Sequence, residues 1–519
     1  MREKAFNLLD EPWLPACFAD GGVAELGLLE IFRRSDEIGA LAETAPPSLV
    51  AEYRLLLAIT HRALVSVGTW KDKDRACWFR KGLPVEDICA YLERWRERFW
   101  LFHPEAPFMQ VAALADCDET KKTYPSSTIS LEQFYCGGMF NQEVYNDSAW
   151  APSVVIRSLL GYLQFVPGGF FLGKKLRKGG SEKAGALLNT AAVLPIGENL
   201  AQTLCLCLHP APTGNAVEPD LPAWEKPQLT IDQLRADPLP ATGSNDRYTR
   251  QSRAVLLLRE NESSVCVRRL HFSAGQALGD DPNAPDPMAS FRPGKGRAGK
   301  DILVRLRFSE GRAFWRDLPA LVPNPANTSL PAAVLSHAAS LHQEINFDVV
   351  YQPVLVAGLT SEKAKLERWR AEQITLPAAF LADVDKAAYL REQVAFAENL
   401  FDKIRTLAAK MLAETLPRSK DTKNRAGSTL KNGPFVATYF AQAERLLPKL
   451  MKDIGIDPEQ AGVLWRENLR EAAESAWQQV LTSMGTSIRA LRADAKYRPC
   501  FNGLLNRKVP KNDVTINEV

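Results

Sequence analysis

The chain has 519 residues, 46% of them hydrophobic, enough for two to four domains at roughly 150 residues each and for a large core. Its 64 lysines and arginines stand against 61 aspartates and glutamates, a net charge of +3, which argues against a histone-like protein that coats DNA and leaves room for a local basic surface. Nine cysteines with one C-x-C (Cys205, Cys207) and no C-x-x-C pair argue against a zinc ribbon and fit a reducing cytoplasm, while no stretch reaches the ~18 apolar residues of a membrane span and the start, MREKAFNLLDEPWLP, has no signal-peptide core.

In chain order, residues 6–15 have strand-like apolar positions broken at Pro12 and Pro15, and Asp20-Gly21-Gly22 reads as a hairpin turn. Helical patterns follow at Leu49 to Val65 and Val85 to Phe102, the second with Ile88, Leu92, Trp95 and Phe99 on one face. From Pro152 to Phe165, Val155, Leu159, Leu160, Tyr162 and Leu163 recur at helical spacing, and Pro167-Gly168-Gly169 should stop that helix. The next loop, to Gly185, holds six glycines among Lys174, Lys175, Arg177, Lys178 and Lys183; on residues alone a solvated basic loop is the better reading, and close approach of backbone to phosphate is the alternative. Pro210 to Asp246 is proline-rich with little periodicity and reads as a long surface connection. Residues 253–272 and 301–308 alternate as strands.

Beyond Leu376-Pro377 the sequence turns strongly helical. Leu390, Val394, Ala397, Phe401, Ile404, Ala408 and Met411 alternate by four and three, a bundle seam. Pro417 to Gly433 reads as a basic connection carrying Arg418, Lys420, Lys423, Arg425 and Lys431. Pro434 to Ile454 reads as a second helix with Phe435, Tyr439, Leu446 and Leu450 inward. Asp457-Pro458 opens a third helix with Trp465, Leu469, Ala472 and Ala476 inward, and Thr486 to Tyr497 gives a short fourth. The expected fold class is α+β: a large mixed α/β N-terminal domain at 1–376, a C-terminal four-helix bundle at 377–505 and a tail at 506–519.

Gly294 to Lys300 satisfies G-x-x-x-x-G-K, but Asp301 stands where a phosphate-binding loop needs Ser or Thr, and a strand-like run follows where it needs a helix. A basic hairpin loop is the better reading. His337 and His342 are five apart, which misses the spacing of a helical zinc pair, and no G-x-S-x-G elbow occurs. No catalytic residue, metal or cofactor is expected, and a binding protein is favoured over an enzyme; a nucleotide-hydrolysing enzyme and a structural helical scaffold are the alternatives.

Several segments in order carry a resemblance: NLLDEPWLP, LLLAITHRAL at 55–64, FHPEAPFMQV at 102–111, LLNTAAVLPIGENLAQTL at 187–204, YTRQSRAVLLL at 248–258, DPMASFR at 286–292 and AFWRDLPAL at 313–321. Together they resemble the CasA family, the large subunit of the type I-E CRISPR Cascade complex. The resemblance implies a subunit that recognises the protospacer-adjacent motif (PAM) in duplex target DNA, helps to open it, joins crRNA-containing subunits and docks a helicase-nuclease. It implies DNA contacts at Met139, Phe140 and Asn141 and a glycine loop at Gly168 and Gly169 toward the minor groove. A wedge is implied at Glu362, Lys363 and Ala364, where some members carry a glutamine; Ser361 capping an ordinary helix that runs through Trp369 is the other reading of that turn. Arg269 and Gln276 are candidates for a motif-contacting lysine, and Lys174, Lys175, Lys178, Lys420, Lys423 and Arg425 for phosphate contacts.

Overall fold

The computed structural model describes residues 4–116, 127–130, 149–168, 184–211, 219–259, 264–279, 285–296, 299–362, 365–417 and 419–506. Its strands are β1 (Ala5–Asn7), β2 (Leu14–Phe18), β3 (Val23–Leu26), β4 (Ile38–Leu41), β5 (Trp100–Phe102), β6 (Ser127–Ser130), β7 (Ala191–Pro195), β8 (Arg253–Arg259), β9 (Val267–Ala274), β10 (Phe291–Lys295), β11 (Asp301–Arg305), β12 (Tyr351–Glu362) and β13 (Lys365–Pro377). Its helices are α1 (Leu28–Arg33), α2 (Pro46–Val67), α3 (Asp72–Lys81), α4 (Val85–Arg94), α5 (Pro152–Phe165), α6 (Leu200–Cys207), α7 (Ile231–Arg235), α8 (Ser244–Thr249), α9 (Ala333–Glu344), α10 (Val384–Thr415), α11 (Thr422–Asn432), α12 (Pro434–Ile454), α13 (Pro458–Met484) and α14 (Ile488–Leu505). The chain forms two compact units, one of 1–312 with 320–382 and one of 313–319 with 383–519.

In the first unit α2 packs against α4, α5, α6, α8 and the β12–β13 hairpin, and the strands form small antiparallel sheets. The sheets have the orders β3-β2-β4, β13-β12-β7 and β6-β9-β8, with the pairs β1-β5 and β10-β11. The β2–β3 turn is the expected one: Gly21 has φ of 86°, and the Gly22 amide donates to Asp20 Oδ1 at 2.8 Å. Helix α2 is buried on nearly every side, including at charged positions. Arg54 donates to Asp286 at 2.8 Å with both side chains fully buried, and its guanidinium lies 4.4 Å from the Tyr248 ring centroid. Burial alone would raise the Asp286 carboxyl, but Arg54 and Arg247 together outweigh it and hold the group below its ordinary value.

Two expectations change here. The pattern at Val85 to Phe102 is not one helix: α4 ends at Arg94, and Trp100–Phe102 pair with β1, so Phe99 is buried beyond the helix. The proline-rich stretch after Pro210 is more than a surface connection. Trp224, Asn245 and Asp246 are buried within it, and the Asp220 carboxylate accepts the amides of Asn245 and Asp246 at 2.9 Å each, closing the start of α8.

In the second unit all seven predicted seam residues of α10 are buried. Tyr439 on α12 donates to Ala397 O at 2.9 Å and Trp465 on α13 donates to Gln393 O at 3.1 Å. On α12, Leu447 rather than Leu446 is fully inward. The predicted loop at Pro417 to Gly433 is mostly helix, α11, because Ala426 and Leu430 sit one turn apart and both bury. The last helix runs past Pro499 to Leu505, since Phe501 stacks on Trp477 with centroids 4.3 Å apart. The four long helices therefore carry a short fifth. Segment Ala313–Pro319 completes this unit: Trp315 meets Trp465 edge-on, and Arg316 lies 3.5 Å from the Phe440 centroid while donating to Glu398 at 2.6 Å.

Removing one partner of a buried ion pair strands the other charge, so Arg54→Met should destabilise the first unit by about 3–5 kcal/mol in denaturant unfolding, with Arg54→Met/Asp286→Leu costing less. A second expectation concerns pH. The His61 and His209 rings stack at 3.7 Å, and burial lowers His61 and His337 to about 4 each and lowers His209 as well. Unfolded histidines titrate near ~6.5. The unfolded chain therefore binds more protons in this window, and stability should be complete above pH ~6.5 and fall as pH drops toward 4. Replacing His61 or His337 with Gln should flatten that fall in unfolding curves measured across the same range.

Candidate nucleic-acid interface

The candidate site is built on the carboxy-terminal end of α5. Pro167 and Gly168 end the helix as the sequence predicts, which leaves backbone carbonyls without helical donors. Other segments supply them. The Gly185 amide donates to Val166 O at 2.8 Å and the Leu187 amide to Gln164 O at 2.9 Å. Ser252 Oγ donates to Leu163 O, and Arg253 donates to Pro167 O at 2.8 Å. Gln164 Nε2 in turn donates to Tyr248 O at 2.8 Å. The two ends of the basic loop, Gly168 and Gly185, are thus held at one helix end. Gly185 has to be glycine, because a Cβ there would lie 2.5 Å from Gln164 O.

The flank of α5 is held electrostatically. Arg157 donates to Trp13 O at 2.7 Å and pairs with Glu43 at 2.9 Å, while burial, reinforced by Glu43, pushes the Glu52 carboxyl well above the ordinary range. A second close approach, between Gly161 and Ser48, packs α5 onto α2: a Cβ at Gly161 would meet the Ser48 amide nitrogen at 2.8 Å.

The second part of the site is the β12–β13 hairpin. Its ladder runs from Tyr351↔Pro377 to Glu362↔Lys365, with an irregularity between Thr360 and Ser361, and β7 pairs with the other edge of β12. Residues 361–362 and 365–369 are therefore strand, which replaces the helix reading of that turn. Gly358 lies opposite Ala191, where a Cβ would come within 2.3 Å of Thr190 O. On β13, Trp369 meets Phe165, the last residue of α5, edge-on with centroids 5.8 Å apart at 85°. This contact brings the glycine-loop end and the hairpin together.

A sequence profile described as CRISPR-associated protein Cse1 matches residues 7–482. The chain belongs to the Cse1 family. A CasA/Cse1 protein of Thermus thermophilus is 32% identical over 517 residues, covering 96% of this chain and 97% of that one. A solved structure of Thermus thermophilus CasA (Cse1) superposes with a TM-score of 0.82 at 31% identity, covering 97% of this chain and 99% of the other. Thermobifida fusca Cse1 shares the fold at 0.78 and 23%, covering 96% and 98%. A chain from a CRISPR RNA-guided surveillance complex shares it at 0.73 and 22%, covering 96% and 100%.

In this Cse1 chain the predicted site residues fall into three groups. Gly168 is exposed at the α5 end, and Glu362 has its backbone in the hairpin ladder. Met139, Phe140, Asn141, Gly169, Lys174, Lys175, Lys178, Lys363 and Ala364 lie outside the described residues. Lys420, Lys423 and Arg425 are exposed in the second unit, the last two on α11 rather than on a loop. Arg269 is exposed on β9 opposite Leu258, and Gln276 donates its amide to Gln251 O at 2.8 Å. The G-x-x-x-x-G-K run joins β10 to β11, with Lys295 paired to Asp301 and a strand, not a helix, after it. His342 shares a hydrogen bond with Gln352 at 2.8 Å, a structural role.

Sequence reasoning missed Arg253, Gly185 and Trp369. Gly185→Ala should cost about 1–3 kcal/mol through overpacking. Hydrogen exchange at the Gly185 and Leu187 amides should accelerate in this variant more than exchange within α2, a local loosening of the loop base that a global loss of stability would not reproduce.

Proposed function

We propose that this Cse1 chain is the large subunit of a crRNA-guided type I-E Cascade surveillance complex in the cytoplasm, a binding subunit rather than an enzyme. It recognises the PAM in duplex target DNA, promotes strand opening and R-loop formation, and offers a docking surface to a helicase-nuclease. The observation that carries this reading is the Phe165–Trp369 contact, which joins the Gly168 end of α5 to the β12–β13 hairpin. A glycine backbone and a projecting two-stranded ribbon suit the two halves of the task. The minor groove is narrow and its hydrogen-bond code degenerate, so a backbone free of side chains can approach it and read a short motif loosely. Guide pairing then reads the long sequence, leaving the protein only the motif and the duplex shape.

In this reading Met139, Phe140, Asn141, Gly168 and Gly169 face the motif, and Glu362, Lys363 and Ala364 form the wedge, with Lys363 supplying the contact to DNA. Lys174, Lys175, Lys178, Lys420, Lys423 and Arg425 meet phosphates, a contribution that fades as salt rises.

Binding of a motif library by the assembled complex tests the proposal. Gly168→Asp sets a carboxylate against phosphates and should weaken binding of motif-bearing duplex by about tenfold or more, since like-charge juxtaposition costs several kcal/mol. Asn141→Ala should flatten discrimination among motifs. Unchanged affinity and motif spectrum in both variants, with assembly intact, would reject the assignment.

A further inference from the structure

Trp369 has a feature the proposed function does not use. Its side chain is 43% exposed, although part of it is packed against the buried Phe165 ring. On the same side of β13, Ala371, Gln373 and Thr375 are small or polar and exposed, so this row does not cover the indole. Single exposed apolar residues are ordinary on a protein surface. What distinguishes this one is its combination of a fixed orientation and its place. The edge-on contact at 85° holds the ring plane, and the cross-strand pair Leu359↔Trp369 holds the backbone beneath it.

The neighbouring residue anchors the strand from its other side. Arg370 donates to Arg312 O at 3.1 Å, lies 5.0 Å from the Phe308 centroid and pairs with Glu372. The indole thus stands on an immobilised strand. It is four residues from Lys365, roughly 13 Å along β13 at the usual strand rise. Gly168 follows Phe165 by three residues, a reach of at most about 10 Å.

We propose that Trp369 is a stacking platform for a nucleobase that has lost its pair beside the β12–β13 hairpin. The inference rests on the reading that this hairpin borders the opening duplex. A base leaving the duplex loses its stacking neighbours, and a rigid indole replaces one of them without regard to sequence, because every base has a π-face. Trp369 then holds the strand open once it has been split.

The test uses the assembled guide-RNA complex and a target duplex with 2-aminopurine at the first position beyond the motif and thymines at the next three. Permanganate reactivity of the thymines reports opening, and 2-aminopurine fluorescence reports whether the unpaired base is stacked. In the wild type, opening with quenched 2-aminopurine is expected. Trp369→Ala should reduce the open fraction, with a roughly 5- to 150-fold drop in the opening equilibrium, the range for loss of one base–aromatic stack, and should raise the 2-aminopurine fluorescence per opened duplex, normalised to thymine reactivity. Trp369→Phe, which keeps a ring against Phe165, should restore much of both signals and controls for folding. Opening in the wild type with equal fluorescence and equal reactivity in Trp369→Ala would overturn the platform and leave the proposed function standing. No opening in the wild type on a motif-bearing target would overturn both.

Discussion

The carboxy-terminal end of α5 is closed by donors from elsewhere in the chain, and the arrangement of the site depends on that closure. Carbonyls of Leu163, Gln164, Val166 and Pro167 accept from Ser252, Leu187, Gly185 and Arg253. An α-helix ordinarily leaves its last carbonyls to solvent or to a local cap. Here they are the points at which three separated segments meet. Because the ends of the basic loop are fixed at Gly168 and Gly185, its interior can change length at small cost, for closure entropy grows only logarithmically. The chemistry between those ends can vary while the ends themselves stay in place.

That closure is linked to the core. Tyr248 receives the Gln164 amide on its carbonyl and the Arg54 guanidinium on its ring, and Arg54 is paired with Asp286. A buried ion pair adds little against well-packed apolar replacements, yet it strongly disfavours any arrangement that separates its members. The pair therefore favours one packing of α2 against the 248–253 and 286–288 segments, and through Tyr248 it favours one placement of α5.

Much of this was legible in the sequence, for uneven reasons. The α10 seam and the α5 stop were readable because helical period and Pro-Gly chemistry are local signals. The segments that carry the family resemblance turn out to be joints. YTRQSR closes α5, DPMASFR holds the Arg54 partner, AFWRDLPAL contributes Trp315 and Arg316 to the helical unit, and AAVLP is β7. Their roles are set by long-range contacts and could not be read from spacing. The alternative of a helix through Trp369 arose because KLERWRAEQ is rich in helix formers; the strand is imposed by pairing along β12, a tertiary override of local propensity. Helix α11 was missed because only Ala426 and Leu430 are buried among polar neighbours.

The hairpin shows how the fold can keep a shape while its end changes character. What fixes β12 lies away from the turn: pairing with β7 from Gly358 to Val354, the close approach of Gly358 to Thr190, and the long ladder with β13. Glu362 enters only at the far end of that ladder, through its backbone pairing with Lys365. A change of side chain at Glu362 therefore leaves the pairing of β12 with β7 and the Gly358 contact untouched. A lysine reaches phosphate or a groove acceptor, and a glutamate beside DNA is tolerated only when it points away or accepts from a cytosine amine. If the hairpin borders the opening duplex as proposed, a charged turn on this backbone course changes which bases are tolerated next to the motif before it changes where the strands divide.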